Sequence, residues 1–142
     1  KTRSTTRMIR ITSDIASLDL YYVHGFLSET YWAKGRTLDE MQTIVQNSLN
    51  FCVLLNERQI GYARVVTDYV QFAYLMDVFI DPLFQGKGYA KELVRHVLSH
   101  TDLQHIKVWR LATQDAHGLY EQFGFGPIAK PENMMERITG SL

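Results

Sequence analysis

A single cysteine, Cys52, stands among 142 residues. One thiol cannot close a disulfide within the chain or build a thiolate metal site alone, so stability must rest on a buried core, and a reducing, cytoplasmic setting is expected. Proline is nearly as scarce, at Pro82, Pro127 and Pro131 only. No Gly/Ser/Pro-rich stretch, internal repeat or low-complexity tract offers a linker, which predicts one domain over residues 1–142. Net charge is lacking too: 15 Lys+Arg balance 15 Asp+Glu, and neither half of the chain is polarised. A protein that binds nucleic acid through counterion release would show a basic excess, so that class is excluded. No window approaches the roughly 18 consecutive apolar residues of a bilayer-spanning helix. The basic start, Lys1 to Arg7, precedes no signal-peptide apolar stretch and reads as a flexible, frayed end. No His, Cys or carboxylate grouping has metal-ligand spacing, so no metal is expected.

What is present is a normal globular share of apolar residues, 46%, arranged in two periods. Met8–Ile11 alternates like a strand. A helix is predicted from about Ile15 to Thr30, with Leu18, Tyr22, Phe26 and Leu27 on one face. A second runs from Leu38 to Leu49 behind a Thr37/Glu40 capping box. The loop between them, Tyr31–Arg36, is polar and aromatic. Extended segments follow at Phe51–Leu55 and Ile60–Thr67, a hairpin, and at Phe72–Ile80. A helix spans Gly86 to about Ser99, a strand Ile106–Ala112, and a short helix Ala116–Phe123, with Asp115 as N-cap and Gly124 at its end. An edge strand is expected near Met134–Met135. The order predicts a mixed α/β fold, one central sheet flanked by helices.

The densest chemistry lies in Asp81-Pro82-Leu83-Phe84-Gln85-Gly86-Lys87-Gly88-Tyr89-Ala90-Lys91. A strand ends and glycines open an amphipathic helix, so free N–H groups and the helix dipole create an anion site. The two glycines let phosphates approach the backbone, and Lys87 and Lys91 add charge. A Walker loop would need glycine at position 81 and a hydroxyl residue at 88, where Asp81 and Gly88 stand. A dinucleotide fingerprint beginning at Gly86 would need a small residue where Lys91 stands, and the preceding meander is the wrong context.

Gln85-Gly86-Lys87-Gly88-Tyr89-Ala90 resembles the pyrophosphate loop, Gln/Arg-x-x-Gly-x-Gly/Ala, of the GNAT superfamily of N-acetyltransferases. Ala116-His117-Gly118-Leu119-Tyr120-Glu121-Gln122-Phe123-Gly124-Phe125 is similar to that family's Ala-x-x-Leu-Tyr-x-x-x-Gly-Phe signature, and Asp77–Pro82 resembles its fourth strand. The resemblance runs from residue 8 through nearly the whole chain. It departs where the family often has asparagine, at Thr113.

The resemblance implies a mostly antiparallel sheet splayed between its fourth and fifth strands. Pantetheine would bond to main chain at Val78, Phe79 and Ile80, and pyrophosphate would sit on Gln85, Gly86, Lys87, Gly88, Tyr89, Ala90 and Lys91. Acetyl-CoA is then the cosubstrate, and a primary amine, a small molecule in the leading reading, attacks the thioester directly. A protein Lys acetyltransferase and a non-catalytic acyl-CoA sensor are the alternatives, and a homodimer would be in keeping with the family. Tyr120 stands where the family's tyrosine protonates the departing thiolate; otherwise it is a packing tyrosine. Asp77, the one charge in Phe72–Ile80, is a candidate base or amine-recognition group, or else a core-bonded acid. Strand alternation puts it with Leu75 and Phe79, opposite Met76 and Val78. Tyr31 and Trp32 lie where this family shapes its acceptor pocket. His117, three residues before Tyr120, is an accessory acid–base candidate, and the other histidines read as solvated.

Overall fold

In a computed structural model, residues 8–140 are described; the frayed end expected at residues 1–7 lies outside them. The chain divides into two compact units, Lys1–Leu111 and Ala112–Leu142.

The first unit is built on a five-stranded sheet in chain order, β1 (Ile9–Thr12), β2 (Leu49–Leu55), β3 (Arg58–Thr67), β4 (Phe72–Ile80) and β5 (Val108–Leu111). The first four strands pair antiparallel, and β5 joins β4 in parallel. Between β2 and β3 the chain turns on Asn56 and Glu57, both at positive φ (52° and 65°), as a two-residue turn matched to strand twist requires.

The helix predicted over 15–30 is divided. A 3-10 turn at Ile15–Ser17 ends at Leu18, and α1 (Leu20–Leu27) begins anew because the Asp19 carboxylate accepts from Tyr22 N–H. The helix α2 (Leu38–Gln46) carries the expected capping box: Thr37 Oγ1 accepts from Glu40 N–H, and Thr37 N–H donates to the Glu40 carboxylate. It stops before Leu49, which already belongs to β2. The helix α3 (Tyr89–Leu98) buries Leu93, Val94 and Val97.

Register assigns the faces, because residues opposite each other in an antiparallel pair share one. Phe51, Ala63, Val65 and Leu75 fall on the face where Phe51 meets the α3 ring of His96. Asn50, Arg64, Tyr62 and Phe79 fall on the other, where Tyr62 and Phe79 pack with Val23, Leu27, Met41 and Val45 of α1 and α2.

The second unit is lightly structured: α4 (His117–Glu121) and a 3-10 turn at Pro131–Asn133. No strand forms at Met134–Met135; these residues are exposed and follow the turn as irregular chain.

Candidate active site

Two irregularities in β4 shape the site. The first is its pairing with β5, which covers Phe72–Leu75 only; among the described residues no strand pairs with Met76–Ile80 on that side. The second is a bulge. Tyr62 pairs with Phe79 and Arg64 with Met76, so two steps on β3 face three on β4, and Asp77 takes φ +55°.

The bulge corrects the expected alternation. Leu75 and Phe79 lie on opposite faces, and Asp77 is turned to the Arg64 face, where its carboxylate is fully engaged. Oδ1 accepts from the Trp32 indole N–H (2.8 Å) and Arg36 Nη2 (3.3 Å); Oδ2 accepts from Arg36 Nη1 and Arg64 Nε, each at 2.8 Å. Asp77 is only 3% exposed. Burial pushes its pKa up, but hydrogen bonds and charge from Arg36 and Arg64 outweigh that and hold it below the ordinary carboxylate value. A carboxylate so engaged is a poor proton acceptor. These contacts are those of the core-bonded alternative.

Asp77 is thus the anchor of the loop between α1 and α2. Trp32 and Arg36 both reach it, the ring of Tyr31 stands edge-on to Trp32 at 5.2 Å, and His24 Nε2 lies 2.7 Å from the Arg36 carbonyl. His24 is therefore bonded and half-buried, not solvated as expected. Beyond Arg64 the polar chain continues: Arg64 Nη1 donates to Ser48 Oγ (3.2 Å), and the Tyr62 hydroxyl donates to Asn50 Oδ1. Arg36, Arg64, Tyr62 and Asn50 were not singled out in the sequence. The available signal was a pair of opposite charges, Arg64 and Asp77, set inside consecutive apolar strands of one hairpin.

Along Val78–Ile80 the side chains build the core and leave the main chain to the sheet. Phe79 stacks on Phe26 with centroids 3.8 Å apart and rings 8° from parallel, with Tyr22 and Tyr62 alongside. At the strand end the Gln85 amide donates to the Ile80 carbonyl (2.8 Å), tying the following loop to β4. Gly86 and Gly88 adopt φ +81° and +83°, and a Cβ on either would enter open space. Gly88 is the N-cap of α3 and no side chain caps this end. The first bond closing on it runs from Glu92 N–H to Gly88 O (3.1 Å), so helix geometry leaves the amides of Tyr89, Ala90 and Lys91 without helical acceptors. Lys87 and Lys91 are exposed beside them. Positive-φ glycines, a bare helix start and two ammonium groups suit a pyrophosphate.

In the second unit Thr113 Oγ1 accepts from Ala116 N–H (3.0 Å), and the N-cap of α4 is Ala116, not Asp115 as expected. Gly124, at φ +91°, ends the turn, and Phe125 N–H returns to the Tyr120 carbonyl (3.3 Å). Tyr120 is buried, its ring edge-on to Phe125 at 6.0 Å, while His117 is exposed. Burial, with the nearby Asp115 charge, pushes the Tyr120 phenol up to about 12. Cys52 is buried, its thiol likewise pushed up to about 12, which suits a core thiol rather than a nucleophile. Among the described residues no group of His, Cys, Asp or Glu could hold a metal ion, and no helix is long and apolar enough to cross a membrane.

The sheet's fourth strand bulges and loses its neighbour, and a glycine-opened helix follows it. The profile of the acetyltransferase (GNAT) family matches residues 12–125, and the chain belongs to that family. A protein of Xanthomonas campestris pv. campestris, described as belonging to the GNAT family, superposes with a TM-score of 0.90 at 42% identity over 93% of this chain and 94% of that one. The uncharacterized N-acetyltransferase ycf52-like protein of Prochlorococcus marinus is 32% identical over 62% of this chain, and the ycf52 protein of Pyropia yezoensis 27% over 77%. The matched stretches span 51% and 66% of those relatives' lengths.

Proposed function

We propose that the chain is an N-acetyltransferase that moves the acetyl group of acetyl-CoA to a primary amine, with a small molecule as the acceptor. The observation that carries this reading is the glycine-opened start of α3, with three amides lacking helical acceptors, placed after a strand that, among the described residues, lacks a neighbour on one side along Met76–Ile80. Because the family match runs across the boundary between the two units, we take both as parts of one transferase domain. Acetyl-CoA supplies an acyl thioester. Val78, Phe79 and Ile80 offer main-chain groups to its pantetheine arm. The amides from Gly86 to Lys91 hold the pyrophosphate, assisted by the Lys87 and Lys91 charges. Gln85 acts from behind, fixing the loop to Ile80.

Tyr120 is assigned to the departing sulfur from its place in the family motif. A phenol near 12 stays neutral at any working pH and would give its proton to a thiolate of pKa ~8.5 only at a cost, so its contribution is a hydrogen bond to the developing charge rather than full transfer. With Asp77 spoken for, the amine's proton leaves through water. Tyr31 and Trp32 stand at the acceptor side.

The test is calorimetric binding of acetyl-CoA to the wild type and to Gly88→Val. A valine at φ +83° costs about 1–2 kcal/mol of backbone strain and places carbon where phosphate would approach. Binding should weaken at least tenfold while the mutant stays folded by circular dichroism. Equal affinity in the two proteins would overturn the assignment.

A further inference from the structure

The anchor that fixes the acceptor-side loop is not electrically balanced. Two guanidinium groups, Arg36 and Arg64, share one carboxylate, Asp77, and among the described residues neither has another ion-pair partner. The cluster carries one surplus positive charge at the boundary of the core, where Arg64 is 6% exposed. A buried cation without compensation costs several kcal/mol, so such a surplus calls for an anion.

Counting donors locates the opening. A guanidinium has five N–H groups. Arg64 spends Nε on Asp77 and Nη1 on Ser48; its Nη2 donates to nothing among the described residues. Every side-chain nitrogen or oxygen sealed from solvent in a non-exposed residue has a partner, so Arg64 Nη2 is not sealed: it opens to solvent from an otherwise buried side chain. Arg36 meets Asp77 and the Met41 sulfur through Nη1 and Asp77 again through Nη2, which leaves Nε uncommitted. The same carboxylate orients both guanidiniums and the Trp32 indole, so these free edges are set in place together with the loop that bears Tyr31 and Trp32.

We propose that the acceptor is an amine that also carries an anionic oxygen group, a carboxylate or a phosphate, bound by the free edges of Arg64 and Arg36. The inference rests on the acetyltransferase reading above and narrows its substrate class. Charge-assisted hydrogen bonds from guanidinium to such a group are strong and directional. The same surplus charge repels a second ammonium, so polyamines are disfavoured.

The experiment measures acetyl-CoA turnover with glycine, β-alanine, longer ω-amino carboxylates and O-phosphoethanolamine, against alkylamines of matched length and putrescine. In parallel, each compound's effect on the melting temperature is read at constant ionic strength. The expected result is a kcat/KM for one anionic set roughly tenfold or more above its neutral match, as one charged hydrogen bond typically gives. Arg36→Gln should shrink that ratio, and Arg36→Lys should restore part of it. The carboxylate and phosphate arms identify which anion is read. Preference for alkylamines or putrescine would overturn the proposal. If no amine is acetylated yet anionic amines raise the wild-type melting temperature and not that of Arg36→Gln, the anion site stands and the transferase reading falls. Neither turnover nor stabilisation by any anionic compound would sink the anion site.

Discussion

Asp77 separates two chemistries that one substitution distinguishes. As an anchor it pairs with both Arg36 and Arg64 and holds Trp32, so Asp77→Asn leaves two guanidiniums facing a neutral amide. Breaking a buried pair from one side costs about 3–5 kcal/mol, a fall of roughly 10–17 °C in melting temperature for a chain of this size. A pKa held below the ordinary carboxylate value adds stability that is complete above about pH 4 and is lost as the pH falls through the depressed value. The gap in stability between wild type and Asp77→Asn should accordingly be constant at neutral pH and close in acid. The loosened loop should raise the acceptor KM more than it changes acetyl-CoA affinity, with no recovery at alkaline pH. A mutant with native melting temperature whose activity returns as pH rises would restore Asp77 as the proton acceptor. The sequence marked Asp77 as exceptional because it is the one charge in an apolar strand. It could not say which way the side chain points, since alternation fails where a bulge inserts a residue.

Gly61 belongs to the neighbouring strand and limits how closely β3 and β4 approach. A Cβ there would come within 2.7 Å of Ile80 Cδ1, 3.0 Å of the Phe79 carbonyl oxygen and 3.1 Å of Val53 Cβ. The isoleucine tip can move aside; the backbone carbonyl can move only by displacing the strand. Gly61→Ala should destabilise the protein by about 1–3 kcal/mol and, on the proposed function, weaken acetyl-CoA binding, because Phe79 belongs to the segment proposed to meet pantetheine. Gly25→Ala is the contrast: it lies within α1 with open space around it and should gain up to about 1 kcal/mol. Thermal melts of both variants, with calorimetry on the first, check the pair; an undisturbed Gly61→Ala would mean that the strands have slack. At this scale the strands were legible in the sequence, since apolar runs and turn residues follow one another from Phe51 to Ile80. Helix ends were less so. Asp19 cuts the first helix because its side chain caps a new start, a choice that periodicity alone does not register. The edge strand expected at Met134–Met135 failed for the opposite reason: two apolar residues soon after Pro131 are too short a run to form a ladder.

Across the molecule, the glycine-opened start of α3 was the most legible feature, because its glycines lie together in sequence. The charge cluster was the least, because its members come from positions 36, 64 and 77 and only the fold assembles them. The strand left half unpaired has a consequence of another kind. β4 is an interior strand as far as Leu75 and an edge from Met76 to Ile80. Main-chain amides aimed at β3 should hold their hydrogens for long times in deuterated water, whereas those aimed the other way should exchange early. The free protein is thus expected to show both fast and slow amides among these five residues, with the fast set slowing once acetyl-CoA is added. Uniform exchange unaffected by acetyl-CoA would show that nothing docks against that edge. If the two classes appear and then merge, the open side of the sheet is completed by a molecule the chain does not encode.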